Sequence, residues 1–260
     1  MRLLIHNALL VDGENTPRRG WLLVDGPLID SLGEGDAPEV EVDERIDARG
    51  AMLMPGAIDC HVHFREPGLT RKADIATESR AALAGGVTSY IDMPNTVPQT
   101  TTIERWEDKM ARAAETSAAN YAFMLGATAD NLDELRRADP RLMPAVKVFM
   151  GSSTGGMLLD ADDSLARVFD GQGALVVVHA EDQATIDAAV ARYSPLRDPY
   201  DMAWHTRLRS AEACVRATER AMELATRYGT RLHVAHVTTA LETQLFDAAD
   251  SPAGKQITAE

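Results

Sequence analysis

The chain has 260 residues, 45% of them hydrophobic, and sets 26 Lys and Arg against 40 Asp and Glu, a formal net charge of -14. This composition fits a globular protein with room for one large core or two unequal ones, and it argues against a broad grip on a nucleic-acid backbone, since no Lys/Arg cluster forms a basic stripe. Its two cysteines, Cys60 and Cys214, lie far apart in apolar surroundings, and no segment reads as a signal peptide or membrane span, so a reducing cytoplasm is the expected setting.

In chain order, the first fifty or so residues read as strands joined by tight turns. Apolar runs at 3–5, 8–11 and 21–24 are separated by Asp12-Gly13, Asp25-Gly26 and Gly33-Glu34-Gly35. Residues 1–53 are therefore expected to form a small β domain. From Met54 onward the pattern becomes an apolar strand followed by a helical stretch, repeated. Strands are predicted at 56–64, 88–93, 121–127, 145–150, 174–179 and 231–237, with helices at 103–115, 131–138 and 211–228 among the segments between them. Serial repetition of this kind implies parallel strands with helices outside, hence a barrel or an open doubly wound sheet. The chemically loaded residues sit at the ends of several different strands, and no Gly-x-Gly-x-x-Gly turn follows any of them, which favours a (β/α) TIM-type barrel over 54–260. A seventh strand begins at 256–260, so the barrel is expected to lack its last strands within this sequence, as in a piece of a longer enzyme.

The strongest local signal is His61-Val62-His63 near the end of the first barrel strand. Residues two apart in a strand project from one face, about 7 Å apart along the chain, so two imidazoles can converge on one ion while Val62 packs outward. The alternative is a pair of buried histidines that hydrogen-bond to backbone. His179 ends the fifth strand and His236 lies near the end of the sixth; each alone is more often a satisfied core histidine than a ligand, but four at strand ends form a pattern. His233 has the opposite parity to His236, so alternation lets at most one face inward, and His236 is the one nearer the C-terminal end. His6 and His205 carry no such signal.

Lys147 stands inside the apolar run Ala145–Met150, where an ammonium would be badly desolvated. Burial makes the neutral amine available to add CO₂ and form a carbamate, an anionic oxygen donor. The competing explanation is a lysine that snorkels out or pairs with a carboxylate.

The stretch His61–Gly68, together with Asp92–Asn95, Val146–Gly151, Val178–Asp182 and His233–Thr238, resembles the dihydroorotase branch of the amidohydrolase superfamily, over essentially the whole chain. The resemblance implies two zinc ions, one held by His61 and His63 and the other by His179 and His236, with carboxylated Lys147 bridging them. It implies that Arg65 and Asn95 hold a substrate carboxylate, and that the loop Gly151–Gly155 forms a mobile rim. Asp59, sharing the parity of His61 and His63, is expected to orient an imidazole from one layer below. The family's general acid/base, an aspartate on the last barrel strand, would lie beyond Glu260. The implied activity is the reversible hydrolysis of the cyclic amide of dihydroorotate to N-carbamoyl-aspartate in pyrimidine biosynthesis, by a homodimer or larger homo-oligomer. The alternatives are an allantoinase or a hydantoinase/dihydropyrimidinase-type hydrolase, or a catalytically silent homologue that partners aspartate transcarbamoylase. Arg65 argues for dihydroorotate, because the other ring substrates lack this carboxylate.

Overall fold

A computed structural model describes residues 1–153, 156–170, 173–193, 201–248 and 254–260. The chain divides into two compact units, Met1–Ala57 and Ile58–Glu260. In the first, β1 (Arg2–Leu10), β2 (Arg18–Asp25) and β3 (Leu28–Glu34) form an antiparallel meander, and β4 (Glu44–Asp47) and β5 (Met52–Leu53) return parallel to β1. Gly26 closes the β2–β3 turn at φ 56°, a left-handed conformation that glycine adopts without a Cβ clash. Leu4, Ala8, Leu10 and Leu23 are buried in this unit.

In the second unit strands and helices alternate as the sequence predicts. β6 (Ala57–Val62), α1 (Ile75–Ala84), β7 (Val87–Asp92), α2 (Ile103–Thr116), β8 (Asn120–Phe123) and β9 (Leu125–Gly126) come first. They are followed by α3 (Leu132–Arg137), β10 (Ala145–Phe149), α4 (Asp162–Phe169), β11 (Leu175–His179), α5 (Gln183–Tyr193) and α6 (Ala203–Leu208). The described chain closes with α7 (Ala211–Tyr228), β12 (Leu232–Val234), α8 (Ala240–Thr243) and β13 (Ile257–Ala259). The helices start where capping chemistry allows. Asp74, Thr102 and Ser210 accept a backbone N–H from the first turn of α1, α2 and α7, and Gly229 ends α7 at φ 68°.

The strands are parallel and ordered β6-β7-β8 and β9-β10-β11-β12-β13; β8 and β9 are one strand interrupted at Met124, whose N–H bonds Asp92 O. The array curls until its two ends meet: Glu260, just past β13, reaches His61 in β6 at 2.6 Å. This is a (β/α) TIM-type arrangement.

Alternation along the strands sorts the side chains into two cores. Val146, Val148, Val176, Val178, Leu232 and Val234 pack outward against helical residues such as Trp106, Leu165, Phe169, Ala217 and Ala221. The inner faces contribute a smaller cluster, Met93, Met124, Ala145, Val177 and Ala235. Lys147 and His179 share the inner parity with Ala145 and Val177, one step nearer the C-terminal ends of the strands. Among the described residues no helix is long and apolar enough to cross a membrane.

Candidate metal centre

The four imidazoles singled out in the sequence come together. The His61 ring lies 5.4 Å from that of His63 and 5.3 Å from that of His236, and His236 lies 4.8 Å from His179, centroid to centroid. His236 reaches this group from outside the regular strand, because β12 ends at Val234 and His236 takes φ 45°. Strand alternation therefore does not choose between His233 and His236. His233 bonds Thr258 Oγ1 at 2.9 Å and lies 3.6 Å from Glu260, the same carboxylate that meets His61, so both histidines of this segment reach the inner side.

Hydrogen bonds fix which nitrogen of three rings faces the centre. His61 Nδ1–H donates to Glu260 Oε1 at 2.6 Å, His63 Nδ1–H to Asn95 Oδ1 at 2.9 Å, and His179 Nε2–H to Glu181 Oε2 at 2.6 Å. A carboxylate or amide oxygen only accepts, so each bond places the proton on the outer nitrogen and leaves the other as a lone pair. His179 Nδ1 then accepts a hydrogen bond from His236 Nε2–H at 2.9 Å. Burial, followed by the Arg65 charge, pushes His63 down to about 4; burial and the neighbouring His179 do the same to His236. Both rings are neutral at physiological pH, the state in which imidazole binds metal.

Lys147 is wholly buried and its Nζ has no hydrogen-bond partner. Desolvation lowers its pKa from 10.5 to about 7, and its charge in turn lowers the pKa of His61, His63 and His236. Among the described residues no three His, Cys, Asp or Glu side chains form a ready-made cation site. The four imidazoles form a row in the order His63, His61, His236, His179, and the amine of Lys147 is buried without a partner. A carbamate on Lys147 would satisfy the amine and supply an anionic donor, so the residues present fit a metal centre of this composition.

Arg65 follows His63 with φ 67°, and its Nη1 is buried without a partner. The two carboxylates that could have neutralised it are engaged elsewhere: Glu66 accepts the Ile75 N–H and Asp74 caps α1. Asn95, 2% exposed, is held against the His63 ring. The Asp59 carboxylate accepts the backbone N–H of His61 at 3.0 Å, while the ring of His61 is met by Glu260. Thr154 and Gly155 of the expected rim lie outside the described residues; Ser152 N–H is bonded to Gln183 Oε1.

A cleft of about 460 Å³ opens beside His179, lined by Ser152, Ser153, Glu181, His205 and Arg209. Arg209 pairs with Glu181 and donates to Ser152 O, so the carboxylate that orients His179 is itself clamped. Sequence reasoning missed Glu181, Glu260 and Arg209. Glu181 was within reach: two residues past His179, it shares that residue's parity. Glu181→Gln keeps the shape but weakens the acceptor for His179 Nε2–H; the expected result is about 10–100-fold weaker divalent-metal binding, read by Co²⁺ titration.

The amidohydrolase family model matches residues 52–245. The chain belongs to the amidohydrolase family. Among the relatives of this amidohydrolase are a dihydroorotase of Halobacterium salinarum, 37% identical over 91% of this chain and 53% of that protein, and an allantoinase of Rubrobacter xylanophilus, 36% identical over 93% and 54%. The L-hydantoinase of Arthrobacter aurescens superposes with a TM-score of 0.90 at 28% identity, covering 99% of this chain and 57% of that one. The amidohydrolase chain spans about half the length of the curated relatives it matches.

Proposed function

We propose that this chain carries the metal-binding face of a dihydroorotase, which interconverts dihydroorotate and N-carbamoyl-aspartate in pyrimidine biosynthesis. The observation that carries the substrate assignment is the buried, unpartnered Nη1 of Arg65, two residues past His63. A planar guanidinium matches a carboxylate bidentately, which lets a strongly acidic protein take an anionic substrate. Dihydroorotases of Halobacterium salinarum and Methanosarcina acetivorans, 37% and 34% identical, support the same reading.

On this proposal residues 54–260 are the hydrolase unit. His61 and His63 would hold one zinc ion, His179 and His236 a second, and the Lys147 carbamate would bridge them. When bound, the ions supply Lewis acidity toward the ring carbonyl and an acidified water near neutral pH. The chain's own residues orient and exclude. Glu260, Asn95 and Glu181 hold the rings, Arg65 grips the carboxylate so that the amide faces the imidazoles, and the inner apolar cluster below Lys147 keeps water from that side. Retention of all five proposed ligands favours an enzyme over a silent transcarbamoylase partner. The two free cysteines suit a reducing cytoplasm, and a homo-oligomer is the proposed assembly.

The test is calorimetric binding of L-dihydroorotate, hydantoin and allantoin to the zinc-loaded chain. Dihydroorotate is expected to bind tightest, and Arg65→Met to weaken it by about 1.5–3 kcal/mol while leaving the other two within about twofold. Tighter binding of hydantoin or allantoin, or indifference of dihydroorotate to the substitution, rejects the substrate assignment.

A further inference from the structure

One buried ion pair lies outside the proposed ligand set. Lys109 on α2 and Asp92 at the end of β7 are 0% and 1% exposed, with Nζ 2.7 Å from Oδ2; Lys109 also donates to Met93 O at 2.9 Å and sits 4.7 Å from the Phe123 ring centre. Such a pair contributes little net stability, because desolvation of both charges offsets their attraction. Its geometry does something else. Asp92 Oδ1 accepts two backbone N–H groups, that of Met93 at 2.9 Å and that of Phe64 at 3.0 Å. Phe64 is the residue between His63 and Arg65, and it lies where the chain leaves β6 and turns into the left-handed conformation at Arg65. Asn95, three residues past Asp92, holds the His63 ring.

From this we infer that Asp92, oriented by Lys109, is a positioning residue: its Oδ1 anchors the Phe64 N–H and so sets where His63 and Arg65 project. The carboxylate meets the Phe64 and Met93 amides and Lys109, and none of the imidazoles is among these partners. Lys109 holds Oδ2, leaving Oδ1 directed at the Phe64 and Met93 amides. The inference rests on the metal-centre reading and adds to it the element that aims the first ligand pair.

Two charge-free double variants separate positioning from simple ion pairing. Asp92→Asn with Lys109→Met keeps an oxygen acceptor for the Phe64 N–H; Asp92→Leu with Lys109→Met removes it. With Co²⁺ as probe, the first is expected to bind within about threefold of the parent chain and the second about tenfold or more weaker, the scale of an outer-shell loss. Equal affinities in the two doubles, with a parent that binds Co²⁺, overturn the inference alone. A parent that binds no Co²⁺ through its histidines overturns the metal reading and the inference with it. Amide hydrogen exchange in the parent gives a readout independent of whether the leucine double folds. The Phe64 N–H is expected to be protected at least about tenfold beyond the Arg65 N–H; exchange as fast as Arg65 overturns the anchor.

Discussion

Lys147→Met is expected to raise the stability of the metal-free chain in CO₂-free buffer, by about 3–5 kcal/mol at pH 7 and below, with little of the gain left near pH 10.5. The amine is wholly buried and its pKa falls from 10.5 to about 7 on folding, so between those values the unfolded chain binds the extra proton and the folded chain does not. Stability therefore rises with pH across that window. Below pH 7 the folded protein carries a desolvated ammonium and the full penalty applies; at 10.5 the unfolded lysine is half deprotonated and little of the penalty is left, and above that pH it vanishes. Methionine fills nearly the same volume without a charge. Thermal unfolding of both chains from pH 6 to 10 checks this, and a gain that does not shrink with pH contradicts it. The same substitution is expected to remove metal uptake and the ¹³C signal gained from labelled CO₂, because it removes the nitrogen that forms the carbamate and releases one proton in doing so.

Lys109→Met alone is expected to cost about 3–5 kcal/mol, because it leaves the Asp92 carboxylate buried with no counter-charge. Burial already pushes the Asp92 pKa above its usual value, with Lys109 opposing that shift. Removing the lysine raises it further. A raised carboxylate pKa means the folded state binds the proton more tightly, so the variant's deficit should shrink as pH falls from 8 toward 5. Adding Asp92→Asn should recover about 2–3 kcal/mol of that loss, since it removes the uncompensated charge and keeps an oxygen acceptor for the Phe64 and Met93 amides. Urea denaturation of the parent, single and double variants separates these outcomes. A single variant as stable as the parent would show that the pair is not closed to solvent.

Much of the fold was legible because near-continuous apolar runs at 145–150 and 174–179 were separated from amphipathic stretches such as 211–228, which became α7 without a change of boundary. The imidazoles were legible as His-x-His and as strand ends. What the sequence hid was non-local. The Asp92–Lys109 pair spans a strand and a helix seventeen positions apart, and nothing in either segment alone marks the two as partners. Glu260 gained its role only when the strand order curled and set β13 near β6. The parity rule applied to His233 and His236 broke down because one residue at positive φ re-aims the chain, and alternation carries no information past such a point.

The hydrogen bonds on the outer ring nitrogens bear on how an ion is captured. An imidazole free to spin loses entropy when a cation seizes it; a ring already fastened at its far edge loses little. With His61, His63 and His179 secured by Glu260, Asn95 and Glu181, most of the ordering occurs when the polypeptide folds. Affinity in such a centre is decided during folding more than at capture, and loosening any one of these three fastenings should be felt as a slower, weaker grip well before it is felt as a change of shape.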